Sequence, residues 1–131
     1  MIEENHKCAF CYIPHQRILK ANEHSFLIGD GFPISLGHSL IIPFRHIASF
    51  FDATTEERAS LLDLLDYAKT ILDIEFHPDG YNVGINDGAV AGQTVPHLHI
   101  HLIPRYIGDR EDPRGGVRWI IPEKADYWSG R

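Results

Sequence analysis

A chain of 131 residues, 44% of them hydrophobic, has the length of one domain and enough apolar side chains to build a core. Its longest apolar runs are only a few residues, as at 40–42, which excludes a segment able to span a bilayer. The formal net charge of -6 disfavours nonspecific nucleic-acid binding, because such binding depends on a basic surface. Because the N-terminal residues contain no signal-peptide core, we expect a cytoplasmic protein, bound neither to nucleic acid nor to a membrane, whose cysteines are reduced or metal-bound.

Short strands are predicted on both sides of one long helix. Residues 16–29 contain two strands, and residues 38–42 form a third after a turn rich in glycine and proline. Residues 81–86 and 98–103 form the last two strands. Antiparallel strands with one inserted helix make an α+β fold, here a five-stranded antiparallel sheet with one long helix.

The helix is predicted between Thr54 and the helix-breaking residues Pro78 and Gly80. Thr54 and Glu57 have the spacing of a capping box. One apolar face follows at helical spacing, formed by Leu61, Leu64, Leu65, Ala68, Ile71 and Leu72.

Histidines alternate with apolar residues in the segment HLHIHL at 97–102. Period-two alternation predicts a strand with Leu98, Ile100 and Leu102 in the core and three imidazoles, about 7 Å apart, on the opposite face. A row of imidazoles is an unusual choice for a solvated strand face. A neutral imidazole is a good nucleophile toward phosphorus, and a protonated one donates to a phosphoryl oxygen.

A loop with several glycines precedes the histidine strand. Gly88 and Gly92 allow backbone N–H groups to approach an anion closely, and Gln93 and Thr94 add side-chain donors. Most such loops are only turns, but next to three imidazoles this one indicates an oxyanion-binding loop.

Cys8 and Cys11 form a C-x-x-C motif, a spacing that places two thiolates on one metal ion. A redox-active or disulfide-bonded pair is the alternative. The residues around CAFC show no βαβ pattern of a redox fold, which favours the metal.

The stretch GQTVPHLHIHLIPR at 92–105 resembles the signature of the histidine triad (HIT) family of nucleotide hydrolases and transferases. PISLGHSLIIPFRH at 33–46 is similar to the strand of that family that leads to a Pro-x-Arg-His corner. CAFC at 8–11 resembles the zinc-carrying branches, and 82–88 the strand before the glycine loop. The resemblance covers residues 8–106 and implies a HIT-like fold.

Beyond the resemblance, the tail 107–131 is rich in charge and glycine. We expect its apolar run at 119–121 to dock on the body, so that residues 1–131 form a single domain.

The resemblance implies three catalytic histidines. His99 would attack the α-phosphorus of a nucleotide and become nucleotidylated. His101 would contact the phosphate oxygens and assist the leaving group. His38 would orient a neighbour or relay a proton, although by itself it reads equally well as a core histidine.

The resemblance also implies nucleotide-binding residues. Asn86, Gln93 and Thr94 would bind phosphate, and Asp30 would accept hydrogen bonds from the ribose hydroxyls. Taken alone, Asp30 and Asn86 are most simply turn residues. The candidates to flank the base are Phe10, Phe26 and Ile28.

A structural zinc ion is implied as well. The zinc branches of the family add the histidine of the Pro-x-Arg-His corner and the first triad histidine to the two cysteines. The four ligands would therefore be Cys8, Cys11, His46 and His97, and His97 would then be structural. The resemblance further implies a homodimer in which the sheets join.

The implied activity is cleavage of a phosphoanhydride or phosphoramidate at the α-phosphate of an adenosine- or guanosine-type nucleotide. The substrate classes would be dinucleoside polyphosphates and nucleoside phosphoramidates. A catalytic zinc held by the three histidines is disfavoured, because they would span about 14 Å along one strand. A zinc-stapled nucleotide-binding sensor or scaffold is the second alternative, and it would not need His99.

Overall fold

The computed structural model describes residues 8–130 and contains one sheet, one long helix and several short helical turns. The strands are β1 (Lys20–Ala21), β2 (Ser25–Gly29), β3 (Ser39–Pro43), β4 (Gly80–Gly84) and β5 (Ile100–Arg105). The helices are α1 (Thr55–Phe76) and α2 (Pro122–Ala125). Single 3₁₀ turns lie at His15–Arg17, Phe50–Asp52, Ala89–Ala91 and Gly116–Ile120. Within 8–130, no helix is long and apolar enough to cross a bilayer.

The five strands are arranged in the order β1-β2-β3-β5-β4, with every neighbouring pair antiparallel. The predicted α+β fold is therefore confirmed. Strand β5 begins at Ile100 rather than at Leu98, because the Leu98 N–H donates to the carbonyl of Ile47, outside the ladder. Strand β4 ends at Gly84, two residues earlier than predicted. In this register His101 lies opposite Leu40 of β3.

Helix α1 covers one face of the sheet. The predicted inward residues Leu98, Ile100 and Leu102 are all buried there and pack in one cluster with the buried face of α1. The opposite face carries a second cluster, Phe26, Ile28, Leu40 and Ile42, which is covered in part by Phe10, Ile13 and Ile18. The second face therefore leaves room for a ligand beside the N-terminal segment.

The predicted boundaries of α1 are close to the observed ones. Thr54 and Glu57 form both hydrogen bonds of the capping box, and the helix ends at Phe76, where His77 adopts a left-handed conformation with a φ of 51°. Ile71 differs from the prediction, because it lies at the margin of the buried face and is 37% exposed.

The apolar run of the tail is only partly in contact with the body. The 3₁₀ turn Gly116–Ile120 contacts β4, but Ile120 is 82% exposed and Ile121 is 50% exposed. The start of the tail is also attached to the body by hydrogen bonds, from the Tyr106 hydroxyl to the Leu36 carbonyl and from the Ile107 N–H to Asp79. Docking of the whole tail, and with it the single domain 1–131, stays a prediction.

The corner after β3 is attached to α1 by an ion pair that the sequence did not reveal. Arg45 donates from Nε and Nη2 to the two carboxylate oxygens of Glu57, at 2.9 and 2.8 Å. The Glu57 side chain is only 6% exposed, whereas that of Arg45 is 52% exposed. The guanidinium lowers the pKa of Glu57 from 4.5 to about 2.

Replacing Glu57 with Gln is expected to lower the free energy of unfolding near neutral pH by about 2 kcal/mol. The lowered pKa of Glu57 corresponds to a stabilisation of the folded state by roughly 3 kcal/mol. Solvent around the half-exposed Arg45 screens the ion pair and reduces this contribution. Because folding lowers this pKa, the contribution is complete above pH 4.5 and disappears as the pH falls toward 2. Urea unfolding at several pH values measures it. Glu56→Gln, at an exposed neighbour, is the control, and equal losses in both variants would contradict the prediction.

Candidate active site and metal centre

A cavity of about 680 Å³ lies over the sheet face opposite α1. We call it the catalytic cavity. The predicted residues that line it are Asp30, His38, Asn86, Thr94, His99 and His101. Phe10 and Ile28 also line it, whereas Phe26 packs against Phe44 instead. The sheet thus brings together catalytic and binding candidates from four separate stretches of the chain.

His99 is held in one tautomer by the backbone. Its Nδ1 lies 2.8 Å from the carbonyl oxygen of His97, and a carbonyl can only accept a hydrogen bond. The proton of the neutral imidazole is therefore on Nδ1, which leaves a lone pair on Nε2. The ring of Phe10 packs edge-on at 5.0 Å from the ring of His99 and helps to bury it. With its proton on Nδ1 and a lone pair on Nε2, His99 has the form of imidazole that can attack phosphorus.

His38 and His101 are joined in a hydrogen-bonded chain that we call the relay, with Asp30 as its third member. The Ile34 N–H donates to Nδ1 of His38, so the proton of neutral His38 is on Nε2. That atom lies 3.0 Å from Nδ1 of His101 and 3.2 Å from a carboxylate oxygen of Asp30. Accepting this hydrogen bond on Nδ1 leaves the proton of His101 on Nε2.

Burial lowers the pKa of both relay histidines. For His101 the neighbouring His99 and His38 lower the pKa further, while Asp30 opposes the change. Both imidazoles are therefore neutral near pH 7 and act as hydrogen-bond donors and acceptors rather than as fixed cations.

The carboxylate of Asp30 has a turn contact and a relay contact. Its Oδ1 accepts from the Phe32 N–H at 2.9 Å, as expected of a turn residue, while Oδ2 faces His38. The Asn86 side chain lines the cavity and makes no hydrogen bond within residues 8–130. Its amide is therefore available to a ligand.

Gln93 is the one predicted phosphate-binding residue that does not line the cavity. Its Oε1 accepts from the Gly88 N–H at 2.8 Å, and its Nε2 donates to the carbonyls of Ala48 and Val95. The side chain thus closes the glycine loop, in which Gly92 has a φ of 98°. To contact a phosphate, the Gln93 side chain would have to break these hydrogen bonds. A phosphate-binding role for Gln93 therefore stays a prediction.

Cys8, Cys11, His46 and His97 form a compact group whose ligand atoms all lie within 4.8 Å of one another. The Sγ of Cys8 is 3.3 Å from Nδ1 of His97, and the Sγ of Cys11 is 3.1 Å from Nδ1 of His46. Tetrahedral zinc with ordinary Zn–S and Zn–N bonds separates such atoms by roughly 3.3 to 3.8 Å. We call this group the metal centre.

The tautomer of His97 suits a metal ligand. Its Nε2 lies 2.8 Å from the carbonyl oxygen of Pro43, so Nε2 carries the proton and the lone pair of Nδ1 faces the cysteines. Burial and the neighbouring Cys8 raise the pKa of the Cys11 thiol to about 11. Two thiolates this close need a cation to balance them, and the donor set fits zinc.

The relay is also compact, because its ligand atoms lie within 4.8 Å of one another, but it does not suit a metal ion. The Ile34 N–H leaves the proton of His38 on Nε2, the atom that would have to bind the metal. The three triad histidines do not converge on a single point either, since His97 faces the cysteines and His101 faces His38. A catalytic metal held by the triad is therefore not supported.

Several residues that line the catalytic cavity were not predicted from the sequence, among them Arg17 and Val117. Arg17 donates to the Gly29 carbonyl, and Val117 belongs to the tail. An isolated arginine in a 3₁₀ turn and a valine far along the chain carry no local sequence signal.

Three comparisons place the chain among known proteins. A family model described as the HIT domain matches residues 13–108. A 16.1 kDa HIT-like protein of Mycoplasma pneumoniae is 36% identical over 107 residues, which cover 78% of this chain and 74% of that protein. A bis(5'-adenosyl)-triphosphatase of Saccharomyces cerevisiae is 31% identical over 124 residues, or 91% of this chain, but this chain spans only 55% of its length.

A solved structure shows the same fold. The crystal structure of a zinc-bound histidine triad family protein from Mycobacterium smegmatis has a TM-score of 0.72 and 33% identity. The similarity covers 82% of this chain and 81% of that one. Since the HIT domain model matches most of the length of this chain, the chain belongs to the HIT family.

Proposed function

We propose that this protein cleaves a phosphoanhydride or phosphoramidate at the α-phosphate of a nucleotide, through a nucleotidyl-histidine intermediate. The observation that carries the proposal is the tautomer of His99, whose Nδ1 proton is held by the backbone and whose Nε2 lone pair is free to attack. The triphosphatase name of the yeast relative supports a dinucleoside polyphosphate as substrate.

In the first half of the reaction, Nε2 of His99 attacks the α-phosphorus, and the bond from phosphorus to the leaving oxygen or nitrogen breaks. The Nε2–H of His101 donates a hydrogen bond to that leaving atom, and the hydrogen bond from His38 stabilises the ring of His101. A leaving nucleotide departs as its phosphate anion, whereas a leaving amine takes its proton from solvent. In the second half, water attacks the phosphorus and releases its proton to solvent, and the P–N bond to His99 breaks. The products are a nucleoside monophosphate and the leaving group.

The experiment that tests the proposal is capture of the intermediate. The protein is incubated with diadenosine triphosphate or adenosine phosphoramidate, quenched and digested, and the peptide containing residues 97–101 is analysed by mass spectrometry. We expect an added nucleoside monophosphate on His99. Tight nucleotide binding without turnover or adduct would instead support the sensor or scaffold.

We also propose that Asp30 accepts hydrogen bonds from the ribose hydroxyls. Asp30→Ala is expected to weaken the binding of a ribonucleotide about tenfold to a hundredfold, because hydrogen bonds to a charged group contribute roughly 1.5 to 3 kcal/mol. The affinity for the 2'-deoxy nucleotide should fall less. Calorimetry with both nucleotides gives the ribo-to-deoxy preference, and an unchanged preference would show that Asp30 is only a turn residue. Asp30→Asn, which keeps the oxygen that accepts from Phe32, controls for the turn.

We propose that the metal centre holds one structural zinc ion. The donor set, the tautomer of His97 and the zinc-bound Mycobacterium smegmatis relative support it. Zinc would join the segment at Cys8 and Cys11 to His46, after β3, and to His97, before β5. It would balance the two thiolates and take no part in the chemistry at His99.

We further propose a homodimer. Strand β4 is at the edge of the sheet, and an edge strand presents unpaired N–H and carbonyl groups to another strand. Pairing of β4 with its copy would join the two sheets. Light scattering after size exclusion tests this, and a mass of one chain at micromolar concentration would contradict it.

A further inference from the structure

A second cavity, of about 600 Å³, lies beside the catalytic cavity. We call it the tail cavity, because its outer wall is formed by residues 109–119 of the C-terminal tail. The two cavities share a wall formed by Ile34, Asn82, Ile103 and Val117. The match to the HIT domain ends at residue 108, so the outer wall lies in the tail, beyond that match.

Strand β5 connects the two cavities. His101, Ile103 and Arg105 lie on the same face of this strand, about 7 Å from one to the next. His101 lines the catalytic cavity, Ile103 lines both cavities, and Arg105 lines the tail cavity but not the catalytic cavity. The tail cavity is therefore about 7 to 14 Å from His101, on the side of β4. Asp30 and Ile28 lie on the other side of the histidines, at β2.

Trp119 gives the tail cavity a fixed aromatic surface. Its indole is 44% exposed, and its Nε1 donates to the Arg114 carbonyl at 2.8 Å. Gly115 has a φ of 96°, and a Cβ there would lie 3.1 Å from the Trp119 ring, so the glycine permits this close packing. Planar bases stack on aromatic side chains held in this way.

One positively charged side chain that lines the tail cavity has no ion-pair partner in the described part of the chain. Arg105 is paired with Asp109 at 2.7 Å, and Asp112 is paired with Arg114 at 2.9 Å, so both carboxylates are balanced. Arg110 also lines the cavity and is exposed. Within the described part of the chain, its guanidinium makes no hydrogen bond and no ion pair. An anion in the tail cavity would therefore find an unpaired guanidinium in the same cavity as the indole.

We propose that the tail cavity binds the leaving nucleotide of a dinucleoside polyphosphate. Its base stacks on Trp119, and a phosphate beyond the scissile bond pairs with Arg110. This assignment rests on the proposed function, because it places the reacting phosphate at His99 and the first nucleoside beside Asp30. The tail thereby selects substrates with a nucleotide leaving group over those with a small amine.

Kinetics on two substrates tests the proposal. Arg110→Gln and Trp119→Leu are expected to lower kcat/KM for diadenosine triphosphate about tenfold or more, since stacking alone contributes roughly 1 to 3 kcal/mol per base. Turnover of adenosine 5'-phosphoramidate, whose leaving group is ammonia, should be unchanged. Lys124→Gln removes the same charge from an exposed tail position outside the cavity and is the matched control.

The possible outcomes separate the two proposals. If the wild type hydrolyses both substrates and Arg110→Gln slows both equally or neither, the tail subsite is wrong and the proposed function stands. If the wild type hydrolyses neither substrate, the proposed function is wrong, and the subsite fails with it.

Fluorescence provides a readout independent of turnover. The chain has two tryptophans, so Trp128→Phe leaves Trp119 as the only emitter. Diadenosine triphosphate with methylene groups in place of its bridging oxygens is expected to change this emission saturably, whereas saturating AMP should not. The subsite is overturned if the analogue binds by calorimetry without changing the emission, or if AMP changes it equally.

Discussion

Replacing His99 with Asn is expected to lower kcat/KM for diadenosine triphosphate by about 10⁴-fold or more. An amide side chain cannot form the covalent intermediate, so the reaction loses its two-step route. Binding of AMP should be retained, because the contacts proposed for Asp30 and Asn86 with the nucleotide do not depend on the imidazole. Single-turnover kinetics and calorimetry measure the two effects separately.

The control for this loss is His15→Asn, because His15 is exposed and does not line the catalytic cavity. His99→Gly provides a second check, since added imidazole can enter the vacated space and act as the nucleophile. We expect partial recovery of turnover with imidazole. A His99→Asn variant that hydrolyses either substrate at nearly the wild-type rate would disprove the nucleophile assignment.

Replacing Cys8 with Ser is expected to abolish stoichiometric zinc binding and to lower the free energy of unfolding by about 3 to 5 kcal/mol, or Tm by roughly 10 to 20 °C. The reason is that the proposed zinc ion would join an N-terminal segment to the corner after β3 and to the start of the histidine strand. The Phe10 ring, which packs on His99, lies between the two cysteine ligands and should lose its position as well. Elemental analysis and thermal unfolding measure both effects.

Ala9→Ser introduces the same hydroxyl group between the two cysteines without removing a ligand, and it should retain zinc and stability. Chelation of the wild type should lower Tm but leave residual activity, because the proposed chemistry uses imidazoles. A metal-free protein that purifies with a Cys8–Cys11 disulfide would contradict the zinc proposal. Complete, zinc-reversible loss of activity without unfolding would show that the metal acts in catalysis.

The features predicted correctly from the sequence are those encoded by neighbouring residues. The alternation in 97–102 is local, because successive strand residues face opposite sides, and it predicted the burial of Leu98, Ile100 and Leu102. The capping box of Thr54 and Glu57 is also local, because its hydrogen bonds join residues three apart. The resemblance carried by the histidine motif likewise led to the correct family and fold.

Only the tertiary structure shows which nitrogen of each histidine carries the proton. The alternation by itself makes His97, His99 and His101 equivalent, and the separate roles expected of them came from the family resemblance alone. The Pro43 carbonyl, from a different strand, places the proton of His97 on Nε2, and the Ile34 N–H places that of His38 on the atom facing His101. Pro43 is 54 residues from His97 along the chain. Ile34 is only four residues from His38, in a turn whose sequence does not show which nitrogen its N–H meets.

The same reason applies to the remaining differences. Gln93 has the residue type of a phosphate donor, but the folded loop brings the Ala48 carbonyl to its amide. Arg45 and Glu57 lie 12 residues apart and meet only because the corner after β3 folds back onto the start of α1. The sequence by itself therefore determined the family, the strands and the chemical groups of the site. The tertiary structure decided the tautomer of each imidazole, the hydrogen-bond partners of each polar side chain and the position of Trp119 in the cavity beside the catalytic one, because these depend on the folded path of the chain and largely on contacts between distant segments.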